Sequence, residues 1–204
     1  GTTVAQPWVL PITPGTINYQ LVVTDTSGMA ACTDTASIAV VATDTPTVSL
    51  AATPDTICNG SIGTLTATAT GGTGSYSYAW SPGGGTTASV QVNPSTTTTY
   101  SVTVTDQSSC STVGSITLTV LASPTVSAFA NPDTICAGQT SDLTAQASGG
   151  LVPYNYLWSN SQTGSVTTVS PQITTNFTVT VTDANGCSGT ASAPLVVNVA
   201  DSID

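Results

Sequence analysis

Five cysteines and ten aspartates are the residues of this 204-residue chain whose types could do chemistry, and no lysine, arginine, histidine or glutamate accompanies them. Cys58 and Cys136 each end the same five-residue word, "PDTIC", at Pro54–Cys58 and Pro132–Cys136. Cys110 and Cys187 each follow a "VTVTD" phrase, and Cys32 follows its variant "VVTD". A thiol can attack as a nucleophile, bind a soft metal or form a disulfide. The first use needs a neighbouring base or cation to make thiolate, and the second needs a Cys-x-x-Cys or Cys/His set. Neither exists here, so disulfides are the expected chemistry. Asp25, Asp106 and Asp183 close the "VTD" phrases, while Asp55 and Asp133 precede the "TIC" cysteines. Carboxylates at such places accept backbone N–H bonds in turns, and a metal held by them would be a hard, oxygen-bound cation such as Ca²⁺.

The absent residue types exclude whole classes of function. Neutralising nucleic-acid phosphates takes Lys or Arg, and attraction to anionic lipid takes the same charges. General acid–base work by His or Lys and an Arg clamp on an oxyanion are ruled out by composition. No apolar run approaches the roughly 18 residues of a membrane-spanning helix, so no membrane insertion is expected. Paired Asp residues could share acid–base work, but they recur with the repeats described next and fall in turns. The expectation is therefore that the chain is not an enzyme.

Self-comparison organises the rest. "PTVS" recurs from Pro46 to Pro124, Cys58 recurs as Cys136 and Trp80 as Trp158, each 78 residues on, and Cys110 recurs as Cys187. "TYSVTVTD" (Thr99–Asp106) returns as "NFTVTVTD" (Asn176–Asp183), and "NYQLVVTD" (Asn18–Asp25) is a third copy. The expected organisation is the C-terminal half of a repeat at 1–43, complete repeats at 44–122 and 123–200, and a tail or linker at 201–204. Because the chain opens within a repeat, we expect it to be an excerpt or a processed piece of something longer.

Within a repeat the apolar period is two, as in "TLTATAT" (Thr64–Thr70), "SYSYAW" (Ser75–Trp80) and "SITLTV" (Ser115–Val120), which is the strand period. Breaks such as "GGTG" and "SPGGG" separate six or seven short runs, with "TVSLA" as the first strand and the PDTIC word as the turn after it. The expected fold is all-β: tandem Ig-like or PKD-like β-sandwich repeats of about 78 residues, arranged end to end. Trp80 and Trp158 on the third strand, and Tyr19, Tyr100 and Phe177 at the start of the penultimate strand, are the expected core aromatics. Tyr76, Tyr78, Tyr154 and Tyr156 alternate with the Trp and could stack on sugar, though Tyr78 shares the face of Trp80 and so points to the core.

The run "TICAGQTSDLTAQASGG…YLWS…NFTVTVTDANGCSGTASAPLVVNV" resembles the Ig-like and PKD-like repeats strung along giant secreted proteins of Bacteroidota, among them gliding-motility adhesins and other type IX secretion cargo. The most specific pieces, "ICAG" (Ile135–Gly138) and "VTVTDANGC" (Val179–Cys187), are complete in the last repeat. The middle repeat reads "VTVTDQSSC" and the first "VVTDTSGMAAC", with three extra residues before its Cys. The resemblance implies an extracellular or cell-surface location and a stalk, adhesin or filament role. Secreted Bacteroidota proteins also carry O-glycans on Asp-Ser/Thr followed by an apolar residue, which matches Thr35, Thr56, Thr134 and Ser202. The sequons at Asn59 and Asn176 are expected to be idle in a bacterial protein.

Two disulfide wirings remain open. Intradomain pairing joins Cys58 to Cys110 and Cys136 to Cys187. Interdomain pairing joins Cys58 to Cys187 and leaves Cys32, Cys110 and Cys136 to partners outside the chain. In an Ig-like sandwich the first turn and the loop after the sixth strand lie at opposite poles. A six-residue strand spans about 20 Å, and a disulfide tolerates at most about 7 Å between Cα atoms, so interdomain pairing is preferred. The same topology would bring Asp55 near Asp183, a weak Ca²⁺ candidate; no other cofactor is expected. The expected function is a non-catalytic, extracellular structural or adhesive repeat protein forming a stalk or filament at a bacterial cell surface, with neighbouring repeats, copies of itself or surface glycans as partners. The rival is a carbohydrate-binding region of a secreted multidomain protein.

Overall fold

The computed structural model describes residues 13–25 and 32–198. Every regular element among them is a β-strand, and among them there is no helix long and apolar enough to cross a membrane. The first two strands, β1 (Gly15–Asp25) and β2 (Cys32–Ala42), form an antiparallel hairpin. Next come β3 (Pro46–Thr53), β4 (Thr56–Cys58), β5 (Gly63–Gly71), β6 (Ser77–Ser81), β7 (Ser89–Val92), β8 (Thr98–Thr105) and β9 (Ser111–Leu121). Seven matching strands follow: β10 (Thr125–Asn131), β11 (Thr134–Cys136), β12 (Ser141–Ser148), β13 (Asn155–Trp158), β14 (Val166–Val169), β15 (Thr175–Thr182) and β16 (Ser188–Asn198).

These seven-strand sets have one topology. A three-stranded sheet, β3-β5-β7 or β10-β12-β14, accompanies a four-stranded sheet, β4-β9-β8-β6 or β11-β16-β15-β13. The chain is all-β with Ig-like, sandwich-type sheets. Alternation builds it: in β15 the residues Phe177, Val179 and Val181 are buried while Thr178 faces out, and β8 does the same with Tyr100, Val102 and Val104. The outward hydroxyls pair across strands, as Thr47 with Thr70 at 2.9 Å and Thr99 with Thr117 at 2.8 Å. Trp158, 1% exposed, sits in the core of the last repeat with Leu143, Ala145, Val179, Val181 and Leu195. Its indole N–H donates to the Gly164 carbonyl at 3.1 Å, and Trp80 donates likewise to Thr87 at 3.0 Å, so neither buried ring leaves its polar atom unpartnered.

The PDTIC word is a strand rather than only a turn. Thr134–Cys136 pairs parallel with Val196–Asn198, and Thr56–Cys58 with Thr119–Leu121, so the opening strand crosses from one sheet to the other at the proline. The peptide bonds before Pro54 and Pro132 are cis. Ile57 and Ile135 are buried there, between exposed Thr56 and Thr134 and the cysteines. Each Trp therefore lies on the fourth strand of its set instead of the third.

By packing, the chain divides into two compact units. Among the described residues, one takes those up to Ala51 with Thr66–Val90 and Tyr100–Ile116; the other takes Ala52–Leu65, Gln91–Thr99 and those from Thr117 onward. The sequence repeat at 44–122 contributes to both. Leu143 in β12 is fully buried, and Leu157, on the face of β13 opposite the buried Trp158, is 55% exposed, so the same substitution separates packing from propensity. Leu143→Ala should cost about 2–5 kcal/mol and Leu157→Ala about 0.5 kcal/mol or less, measured by denaturant melts.

Candidate functional site

The loop after β15 is built around one carboxylate. Asp183, 2% exposed, accepts N–H bonds from Asn185 and Cys187 on Oδ1 (both 2.9 Å) and from Leu151 on Oδ2 (3.0 Å). The Asp183 N–H in turn donates to the Cys187 carbonyl at 2.9 Å, and Gly186 donates to the Asp183 carbonyl at 3.0 Å. Gly150, at φ +65°, makes the approach possible, since a Cβ there would lie 2.5 Å from Asp183 Oδ2. The carboxylate thus fixes Cys187 and ties its loop to the turn that precedes β13.

The same tie occurs one repeat earlier. Asp106 takes Cys110 N–H on Oδ1 and Thr73 N–H on Oδ2, both at 2.9 Å, with Gly72 (φ +65°) in the role of Gly150. Removal from water pushes both carboxyls up. The backbone N–H bonds from Thr73 and Cys110 to Asp106, and from Leu151, Cys187 and Asn185 to Asp183, outweigh it and leave both pKa values below normal. Stabilising the charged form in this way is what hydrogen bonds to a carboxylate do.

Cys187, fully buried, is bonded to Cys58: S–S 2.02 Å, Cα–Cα 5.5 Å, sequence separation 129. Cys58 ends β4 opposite Leu121, where Asn59 N–H donates to the Leu121 carbonyl at 2.9 Å and Ser61 N–H to the Cys58 carbonyl at 2.9 Å. The bond links one sequence repeat to the next. Cys110 and Cys136 are free. Cys110 is half-buried with Sγ 3.3 Å from Thr43 Oγ1, and the exposed Cys136 donates its N–H to Gln139 Oε1 at 3.2 Å. Cys32 opens β2 opposite Asp25; its side chain lies outside the described residues.

The remaining candidates fall as follows. Of the Ca²⁺ candidates, Asp183 has both oxygens on backbone donors. Asp55 presents its carbonyl to Thr119 N–H at 3.2 Å. No three His, Cys, Asp or Glu side chains cluster among the described residues. Thr35, Thr56 and Thr134 are exposed on β2, β4 and β11, and Ser202 lies outside the described residues. Trp80, Tyr100 and Phe177 are buried, whereas Tyr19 is half-buried on the β1–β2 hairpin. Tyr154 donates its phenol to the Gly149 carbonyl at 2.6 Å, Tyr76 does so to Gly71, and Tyr154 and Tyr156 pack against the core. An open hollow of about 340 Å³, bordered by Asn160, Gln162, Thr168 and Phe177 among others, offers amides and hydroxyls but no acid or base.

Comparison with known proteins adds a family match. The family model described as the SprB repeat matches residues 50–85 and 132–163. The chain carries stretches similar to that repeat. No curated protein matches it. Among solved structures, the N-terminal four Ig domains of Dscam1 isoform 6.9 are similar at 16% identity over 78% of this chain and 47% of that one, TM-score 0.33. The Ig1–Ig3 ectodomain of mouse nectin-like molecule 4 is similar at 15% over 79% and 67%, TM-score 0.35. An adhesin of an Antarctic bacterium, described as Ca²⁺-stabilized and helping it bind ice, is similar at 22% over 90% and 57%, TM-score 0.37. The chain spans about half the length of the Dscam1 structure, at 47%.

Two outcomes test this site. Peptic digestion under non-reducing conditions should yield a Cys58–Cys187 peptide and none joining Cys58 to Cys110. The stabilisation from Asp106 and Asp183 should be complete above the ordinary carboxylate pKa of 3.8 and disappear as the pH falls through their lower folded values. Denaturant melts from pH 7 to pH 2 should show an acid limb that is shallower in Asp183→Asn.

Proposed function

We propose that the chain is a non-catalytic structural or adhesive repeat segment of an extracellular protein, forming a stalk or filament at a bacterial cell surface. The observation that carries the reading is the Cys58–Cys187 bond between successive sequence repeats. A covalent tie between repeats serves a load-bearing array, and a stable disulfide suits an oxidising, extracellular setting. The SprB repeat matches accord with a surface protein. The absence of Lys and Arg supports it further, since a trypsin-like protease finds no side chain for its cation-selective pocket. Exposed Thr35, Thr56 and Thr134 are the proposed O-glycan carriers. Neighbouring repeats and surface glycans are the proposed partners.

Pulling the folded chain by its ends tests the mechanical role. The disulfide shields the 129-residue separation between its cysteines from force, so reduction should add about 430–460 Å of contour at about 3.3–3.6 Å per residue. Immunogold electron microscopy of native cells should place the chain on surface fibres or tethers; label confined to the cytoplasm would overturn the reading.

A further inference from the structure

Cys110 is built like Cys187 yet has no partner, and the residue beside it shows where a partner would stand. In the bonded pair, Cys58 sits opposite Leu121 in the parallel β4–β9 register. Thr43 is the counterpart of Leu121, 78 residues earlier in the repeat, and its Oγ1 lies 3.3 Å from Cys110 Sγ. A TIC-type strand laid parallel to the end of β2, with its cysteine opposite Thr43, would therefore face Cys110 as Cys58 faces Cys187. The loop is already set for that bond, because Asp106 holds Cys110 N–H at the same 2.9 Å at which Asp183 holds Cys187.

The β1–β2 hairpin independently calls for the same partner. Its register, with Tyr19 opposite Ile38 and Leu21 opposite Ala36, repeats that of Phe177 with Ala193 and Val179 with Ala191. In the last repeat, Val179, Val181 and Ala193 are fully buried in a core with Leu143 and Trp158, which the front-half strands β12 and β13 supply. On the hairpin the equivalent Leu21, Val23 and Ile38 are 60%, 57% and 66% exposed. Val22 and Val41 on the other face are 53% and 64% exposed as well, but exposed apolar side chains can mark an interaction surface, and for the face of Leu21, Val23 and Ile38 the chain's own last repeat shows what covers it.

We propose that the β1–β2 face and Cys110 together form an acceptor site for the front half of another repeat of this kind, closed by a disulfide between Cys110 and that front half's TIC cysteine. The inference rests on the surface-array reading and names the contact that would extend the array. In the covalent step Cys110 and the incoming cysteine each lose a proton. One S–S bond forms between them, and their two electrons break the S–S bond of a small-molecule disulfide oxidant, which leaves as two thiols.

The test mixes the full chain with a polypeptide of residues 44–97, the front half of the middle repeat, in a reduced and oxidised glutathione buffer. The expected product joins the fragment's Cys58 to Cys110 in preference to the more exposed Cys136 by about tenfold or more, as docking raises the local thiol concentration. Amide exchange in β1 and β2 should slow on mixing, and should still slow in Cys110→Ser, which docks without crosslinking. The same fragment fused ahead of Gly1 by a flexible linker should react at an effective concentration of about millimolar. Crosslinking that favours Cys136, or unprotected β1–β2 amides with both separate and fused fragments, would sink the proposal. Because purified components are used, that result is distinct from a cytoplasmic location, which would instead overturn the surface reading.

Discussion

A buried carboxylate in a chain without a single cation can be answered only by N–H and O–H dipoles, and that constraint shapes the loops of this protein. Asp106 and Asp183 are each buried, and each draws backbone N–H groups from its own loop and from a turn more than thirty residues away in sequence. Where another protein would place an arginine, this one places a Gly-Gly pair that lets the N–H of the next residue, Thr73 or Leu151, come close enough to donate. The cysteine loops are consequently set by main-chain geometry, and the thiol positions follow from it.

That arrangement links sequence to function in three steps. Alternating Thr and Val give strands with one apolar face, and two such faces give a core around Trp158. The short TIC strand then carries Cys58 to the edge beside Leu121. The carboxylate-held loop presents Cys187 to it. With no lysine for an amide crosslink and no ion pairs available, the disulfide is the covalent staple that this residue set permits.

Much of the fold was legible because its signal is local. Period-two runs locate β5, β8, β12 and β15, and the 78-residue recurrence aligns the two strand sets. What escaped reading was either too short or too distant. Thr56–Cys58 is three residues long, below any periodicity, so it read as a turn. The ties from Asp106 to Thr73 and from Asp183 to Leu151 are contacts between separate loops. Their only trace is the recurring Gly-Gly at 71–72 and 149–150, whose meaning depends on a carboxylate far along the chain. Tyr19 carries the same pattern as Tyr100 and Phe177 yet is only half-buried, because burial belongs to the strands that cover a residue and not to the residue.

The hydroxyl pairs on the outward strand faces, such as Thr47 with Thr70 and Thr99 with Thr117, have a consequence in brine. A surface solvated by alcohol groups keeps its hydration without relying on charge, and the charge it does carry is all of one sign. Dissolved salt therefore has no attractive pair to weaken and only repulsion to screen. Added electrolyte should compact and steady such a chain, the reverse of its effect on a surface held by opposite charges.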